Sequence, residues 1–477
     1  MTRSIRVRGI GLTVCAALLV SGCGGGSGGS GGGGGTSATP TPTPAPGVAG
    51  CSLREREDWA LAQLSEWYLF PTALASGANP AAYSTLPDYV DALTATARAQ
   101  GHDRYFTYVT SIASEDAYYS AGSNAGYGFR IAVDTTGLTV LESFEGAPAL
   151  AAGIDRGARI TAIGNSPSTM RDVSDIMAAQ GSEGVDAALA SGSANTTRVL
   201  RVTDASGTRD VSVTQADYTL LPVSSRYGAK TIDDGGRKVG YINLRTFISP
   251  ANSALTTAFA QFQAAGVTDV IVDLRYNGGG LVSVAETLAS LMGRNRATSD
   301  VIDYLSYRPE KASQNYTGFF APQTQSLAPT RIAFIGLSGT ASASELVINA
   351  FIPYLHANAG LIGGNTFGKP VGQIAVDRPQ CDDRLRIIAF AVQNSAHQGD
   401  YYSGLASKVE ASCRAADDAS KPLGDPNEAS TRAALDFIAG RSCTAIAGSQ
   451  SPQAAGAQHL LIPEHPTTAQ REMPGSF

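Results

Sequence analysis

The segment Gly339-Thr340-Ala341-Ser342-Ala343-Ser344-Glu345 sets a serine where an apolar helix is expected to begin. Downstream, Thr366-Phe367-Gly368-Lys369-Pro370-Val371-Gly372-Gln373 holds one lysine in a glycine-bounded turn. A serine hydroxyl is a weak nucleophile until a base takes its proton, and a desolvated, neutral lysine can be that base. Histidine offers little competition. The chain has five, His102, His356, His397, His459 and His465, and none sits in a triad setting. A free lysine titrates about three units above working pH, so keeping Lys369 neutral costs roughly 4 kcal/mol, and burial must supply that shift. Ser-x-x-Glu before an apolar run is also a capping box, and Ser344 is the competing nucleophile. Gly363 to Lys369 nearly spells a phosphate-binding loop, but Pro370 has neither the hydroxyl nor the N–H that such a loop needs. Pro370 instead pushes Lys369 out of helical geometry. A third segment, Asp273-Leu274-Arg275-Tyr276-Asn277-Gly278-Gly279-Gly280, runs a strand into three glycines, where free backbone N–H groups could form part of an oxyanion hole.

Each of the three segments follows a strand. Residues 217–443 alternate strand and helix signals: strands at 239–244, 267–274 and 331–337, and helices at 253–265, 282–292 and 342–357. This predicts an α/β core with substantially parallel strands, in which strand ends gather the reacting groups. Residues 294–330 read as a long irregular connection and 431–439 as a closing helix.

Residues 125–216 read as a β-rich unit. Strand patterns start at Tyr127-Gly128-Phe129-Arg130-Ile131 and recur at 138–141, 199–202 and 209–213, with a helix near 171–180. The order resembles a PDZ domain of the bacterial protease type. There Tyr127, Gly128 and Phe129 would offer a peptide backbone N–H groups and the following strand a free edge. The other reading is a small β-rich domain that binds nothing. Residues 51–124 carry amphipathic helical faces, one marked by Trp59, Leu64 and Trp67 and another by Tyr89, Val90 and Leu93. From residue 444 the chain is polar and aperiodic and reads as disordered.

The N-terminus reads as an export signal, residues 1–22, with Arg3, Arg6 and Arg8 before an apolar stretch and Val20-Ser21-Gly22-Cys23 at its end. That last word resembles a bacterial lipobox, which implies cleavage before Cys23, lipidation of Cys23 and anchoring to a membrane surface. Residues 23–50 would be a Gly/Ser and Thr/Pro spacer. Removing the signal takes the net charge from -6 to -9, which excludes nucleic acid as a natural partner. Cys51, Cys381, Cys413 and Cys443 remain, an even number that suggests disulfides in an exported protein. Three pairings are open. The expected one is Cys51–Cys443 bracketing the globular region and Cys381–Cys413 bracketing one segment.

Taken together, Thr340 to Glu345, Thr366 to Lys369 with Gln373, and Asp273-Leu274-Arg275 with Asn277 to Gly280 resemble the C-terminal processing (tail-specific) serine protease family. The resemblance covers about residues 125–400. It implies a crotonase-like α/β core with an inserted PDZ-like domain and a small N-terminal helical domain. It carries the nucleophile to Ser342, the base to Lys369 and its orienting group to Gln373. It carries the oxyanion donors to the N–H of Ala343 and of Gly279 or Gly280. Pro370, Gly278 and a spacer about two residues longer between Glu345 and Lys369 depart from the family's usual pattern. The implied protein is a lipid-anchored endopeptidase of the bacterial cell envelope, facing the periplasm. It would act on proteins or peptides near their C-termini, without metal or cofactor. The rival class is a non-catalytic envelope protein that binds peptides or other ligands on the same fold.

Overall fold

The structure, a computed structural model, describes residues 2–3, 48–189, 195–447 and 458–477. Apart from Thr2 and Arg3, the expected signal, Cys23 and the spacer up to residue 47 lie outside the described residues.

Helix α1 (Leu53–Trp67) starts at Ser52, whose hydroxyl and Glu55 form a capping box. Helix α2 (Leu86–Leu93) starts at Thr85 and has Pro87 in its first turn, where no N–H is needed. Strand β1 (Tyr108–Ser111) and helix α3 (Ile112–Ala121) follow. The apolar residues of α1 and α2, including Leu64, Tyr89 and Leu93, join the same buried cluster as Phe259, Val272 and Ile388.

The β-rich unit begins with β2 (Ser123–Gly126), β3 (Phe129–Asp134), β4 (Gly137–Ser143) and β5 (Arg159–Gly164). Helix α4 (Val173–Leu189) and strands β6 (Thr197–Asp204), β7 (Gly207–Thr214) and β8 (Ala216–Thr219) complete it. Strands β3 to β7 form an antiparallel sheet in the order β3-β4-β5-β6-β7. Phe129, Ile131 and Val133 alternate along β3 into one core with Ile160, Ile176, Leu189 and Leu200. The incoming strand β2 pairs with the outgoing β8, Ser123 opposite Thr219.

The core sheet is built from β9 (Lys230–Asp234), β10 (Arg237–Asn243), β11 (Asp269–Asp273), β14 (Ile332–Gly336), β15 (Ala359–Gly363) and β18 (Ala411–Arg414), in that order. Only β9 runs antiparallel; the other neighbours are parallel. Such strands must be covered on both faces, so their residues are apolar nearly throughout. Val270, Val272, Ile332 and Phe334 pack toward α5 (Ala251–Ala265), α6 (Val282–Leu291) and α7 (Ala343–Leu355). Ile271, Ala333 and Ile335 pack toward α8 (Ala429–Ile438) on the other side.

A second, antiparallel sheet holds β16 (Val371–Arg378), β17 (Asp383–Gln393), β12 (Val301–Tyr307) and β13 (Tyr316–Phe319), with β1 also paired to β17. Two of these strands lie in residues 294–330, which the sequence suggested were irregular. Ile302, Leu305 and Tyr307 are buried against β17 and its neighbours. This packing stabilises strands that the buried Asp303 and the glycine Gly318 keep from standing out by pattern.

The cysteine pairing differs from expectation. The bonds are Cys51–Cys381 and Cys413–Cys443, with Cα separations of 5.6 and 5.4 Å. The start of α1 lies against the turn between β16 and β17, where Arg378 donates to the Glu55 carbonyl, so Cys51 meets Cys381. Past α8 the chain returns beside β18, with Arg414 N–H donating to Thr444 O, so Cys443 meets Cys413. Bracketing in sequence was the wrong criterion; Cα proximity decides.

The final segment also differs from expectation. Residues 448–457 lie outside the described residues, but 458–477 are ordered rather than disordered. They form β19 (His459–Leu460), paired to β3, and the short helix α9 (Thr468–Glu472). Leu461, Met473 and Phe477 are buried.

Candidate active site

Strands β11, β14 and β15 are consecutive neighbours in the parallel sheet. The three sequence segments leave their C-terminal ends side by side, the position where open α/β sheets collect ligands. Asp273 to Gly280 joins β11 to α6. Ser342 stands between β14 and α7. Lys369 lies in the passage from β15, in the core sheet, to β16, in the second sheet.

The first turn is fixed by a buried ion pair that the sequence did not reveal. Arg275 Nη2 donates to Asp273 Oδ2 at 2.8 Å, and Arg275 Nη1 donates to Glu428 Oε1 at 2.9 Å. Tyr241 Oη donates to the same Asp273 carboxylate at 2.7 Å. Asn277 then holds the turn from within, donating to Leu244 O at 2.9 Å and accepting the Gly279 N–H at 2.9 Å. Gly279 has φ +126, and a Cβ built on it would stand 2.7 Å from Ser342 Cβ, so only glycine fits. The close approach brings the Gly279 backbone against Ser342 and the Ala343 N–H.

Ser342 is fully buried and has φ 61 and ψ -116. A non-glycine residue in that region is strained, and such strain collects at functional sites. Ser342 immediately precedes α7, so its hydroxyl lies at the positive end of the helix dipole. The competing serine is spoken for: Ser344 Oγ donates to Asn277 O at 2.9 Å.

Glu345 joins the two turns. Its Oε2 accepts the Ser342 N–H at 3.0 Å and the Lys369 N–H at 2.7 Å, and its Oε1 accepts the Gly368 N–H at 2.7 Å. Burial pushes the Glu345 carboxyl up, and these N–H donors act against that push. From its spacing Glu345 was expected only to cap the helix. A contact across more than twenty residues has no local signature.

Lys369 Nζ donates to Gln373 Oε1 at 3.1 Å. Gln373 Nε2 in turn donates to Phe106 O, and the Phe106 ring lies 4.9 Å from Lys369 Nζ. Desolvation is the main influence on the lysine and brings it down to about 8; the nearby Glu472 raises it and Arg471 lowers it. Arg104 donates to Phe367 O at 3.0 Å, to Tyr402 O at 3.2 Å and to Gly368 O, which braces the lysine turn. Arg104 and Phe106 come from the N-terminal region and were not expected at the site.

The expected peptide site lies on β3. Gly128 has φ +76, and a Cβ there would come within 2.0 Å of Ala147 Cβ. Gly128 and Phe129 donate their N–H groups to Phe477 O at 2.8 and 3.3 Å. Tyr127 contributes its ring, stacked 5.4 Å from Phe129 in the cluster that also contains Phe477. The Gly278 N–H donates to Glu472 O at 2.8 Å. Among the described residues no group of His, Cys, Asp and Glu could hold a metal ion, and no helix is long and apolar enough to cross a membrane.

Residues 238–398 match Peptidase family S41. That stretch contains all three turns, and the resemblance read from their motifs is borne out. The chain is 29% identical over 269 residues to a chloroplastic C-terminal processing peptidase of Tetradesmus obliquus, covering 54% of each protein. It is 29% identical over 263 residues to a carboxyl-terminal-processing protease of Picosynechococcus, covering 54% of this chain and 58% of the relative. The chain thus spans a little over half the length of these curated relatives. A solved structure from Bacteroides fragilis, assigned to the S41 proteases, superposes with a TM-score of 0.62. It covers 80% of this chain and 97% of that one at 22% identity, which establishes a common fold.

Proposed function

We propose that the protein is a serine endopeptidase that cleaves proteins or peptides by a Ser342/Lys369 mechanism, near their C-termini. The observation that carries this reading is the Glu345 carboxylate. It ties the strained Ser342 turn to the Gly368-Lys369 turn, and a protein that only bound ligands would have no use for that link. Neutral Lys369, oriented by Gln373, takes the proton of Ser342 as its oxygen attacks a peptide carbonyl. The developing oxyanion is received by the N–H of Ala343 and of Gly280, with Gly278 beside them; Gly279, the other donor considered, has its N–H held by Asn277. The acyl-enzyme is then hydrolysed by water. Desolvation brings Lys369 down to about 8, which makes the neutral base accessible near neutral pH.

The finer parts of the reading concern placement and recognition. The β-rich unit is a PDZ-like domain inserted before a crotonase-like core, and Tyr127, Gly128 and Phe129 form its peptide site. Cys23 is lipidated and holds the protein at a membrane of the bacterial envelope, facing the periplasm. The oxidised pairs Cys51–Cys381 and Cys413–Cys443 suit that compartment.

The test is hydrolysis of casein or a short peptide by the purified protein. Activity that disappears in Ser342→Ala, with the melting temperature unchanged, supports the reading. Activity that survives in Ser342→Ala refutes it.

A further inference from the structure

Residues 458–477 touch both halves of the proposed machinery. At one end His459 and Leu460 pair with Val133 and Ala132 of β3. The chain then leaves β3, forms α9, and brings the Glu472 carbonyl to the Gly278 N–H at 2.8 Å. Arg471 donates to Tyr105 O at 3.1 Å and lies 3.9 Å from the Tyr108 ring. Tyr119 Oη donates to Glu472 Oε1 at 2.6 Å. Past Met473, which is fully buried, the segment returns to β3 in antiparallel register. Ile131 donates to Gly475 O at 2.8 Å, and Phe477 donates to Phe129 O at 2.9 Å. Arg130 faces Ser476 across this added strand. The Phe477 side chain enters the core of the β-rich unit beside Phe129 and Ile131.

These are the contacts of an added β-strand: backbone bonds supply affinity and a side-chain pocket supplies selection. The segment therefore fills the peptide edge and, upstream in the same chain, covers the glycine turn. A Cβ built on Gly278 would stand 2.4 Å from Arg471 O, so the turn is shaped to admit this backbone.

We infer that residues 458–477 act as a built-in competitor of substrate, holding the protein latent until a peptide with an apolar residue in the Phe477 position displaces them. This rests on the proposed peptidase reading and adds regulation and selectivity to it. The selected ligand is an extended peptide whose apolar side chain enters the pocket beside Phe129. Its chain must be long enough to reach Gly278 from there, as Phe477 to Glu472 does.

The experiment uses the full chain and a fluorescent peptide of sequence Pro466 to Phe477. Three proteins are compared: the parent, Phe477→Asp, and a chain with a site for a sequence-specific protease inserted between Gln450 and Ser451, before and after cutting. Melting curves verify that each is folded. The inference predicts that Phe477→Asp and the cut chain bind the labelled peptide at least about tenfold more tightly than the parent, because the edge is vacated. Both should also hydrolyse a small peptide substrate at least about tenfold faster. Equal binding and equal rates in all three proteins would overturn the inference while leaving Ser342-dependent hydrolysis intact. Tighter labelled-peptide binding with no hydrolysis by any protein would support occupancy of the edge and count against the peptidase reading alone.

Discussion

The turns that hold Ser342 and Lys369 and the strand edge that holds Phe477 are both full, but they are filled in different ways. Around Ser342 the partners are fixed elements of the core. Glu345, Asn277 and Gln373 are buried, and their bonds run to the backbone of neighbouring turns. Around Phe129 the partner is a short terminal segment, and its backbone bonds are of the kind that any extended peptide can make. The first arrangement would preset the proposed reaction, since its geometry follows from the order of three parallel strands. The second sets access, because one strand can be exchanged for another. Breaking a contact in the first region should reduce activity, and breaking one in the second should raise it.

The largest effect is expected from the nucleophile. Ser342→Ala should lower peptide hydrolysis by at least about 10³-fold. Ser344→Ala should cost less than about tenfold, since its hydroxyl serves only the Asn277 carbonyl. Paired assays and melts check both, and the opposite ranking would assign the reaction to Ser344.

Lys369→Arg should be nearly as damaging, because a guanidinium does not lose its proton in a protein. In the proposed mechanism the neutral lysine is the active form of the parent. Activity should therefore be low at acidic pH, rise as the proton leaves, and reach half its maximum near about 8. A rate that is flat from pH 6 to 9 would sever the lysine from the chemistry.

Glu345→Gln tests whether the link between the turns matters. The amide keeps the shape but weakens the acceptance of three N–H groups, so kcat should fall on the order of tenfold to a hundredfold while binding of substrate changes little. A change confined to KM would show that Glu345 does not align the reacting groups.

The smallest effect on activity is expected from the disulfides. Cys413→Ser with Cys443→Ser should cost about 2–4 kcal/mol of stability and leave the rate at 25 °C close to that of the parent. Peptide mapping without reduction should find Cys51 joined to Cys381 and Cys413 joined to Cys443.

The same contrast explains which parts of the molecule could be read from sequence. The three turns were legible because each is a local word that follows a strand. Ser342 and Lys369 stand out by residue type and spacing, Gln373 only through the family resemblance, and the alternation of β11 and β14 residues between two cores follows from strand period. Arg104 and Phe106 were not legible, because their roles depend on an N-terminal loop meeting a turn more than 250 residues away. Glu345 was half legible: the capping spacing was visible, but its bonds to Gly368 and Lys369 were not. The cysteine pairing failed because the return of the chain beside β18 leaves no mark in composition. The last twenty residues looked featureless, since a strand of two or three residues is stabilised by its partner and not by its own pattern.

The proposed chemistry turns on Lys369 activating Ser342. The most direct test is the rate at which a fluorophosphonate modifies the protein between pH 6 and pH 10, with the modified residue located by mass mapping. It should be run on the parent, on Phe477→Asp and on Lys369→Arg. Modification is expected at Ser342, rising with pH to half its maximum at about 8, with none in Lys369→Arg. Modification at Ser344, or modification of Ser342 that persists at the parent rate in Lys369→Arg, would contradict it.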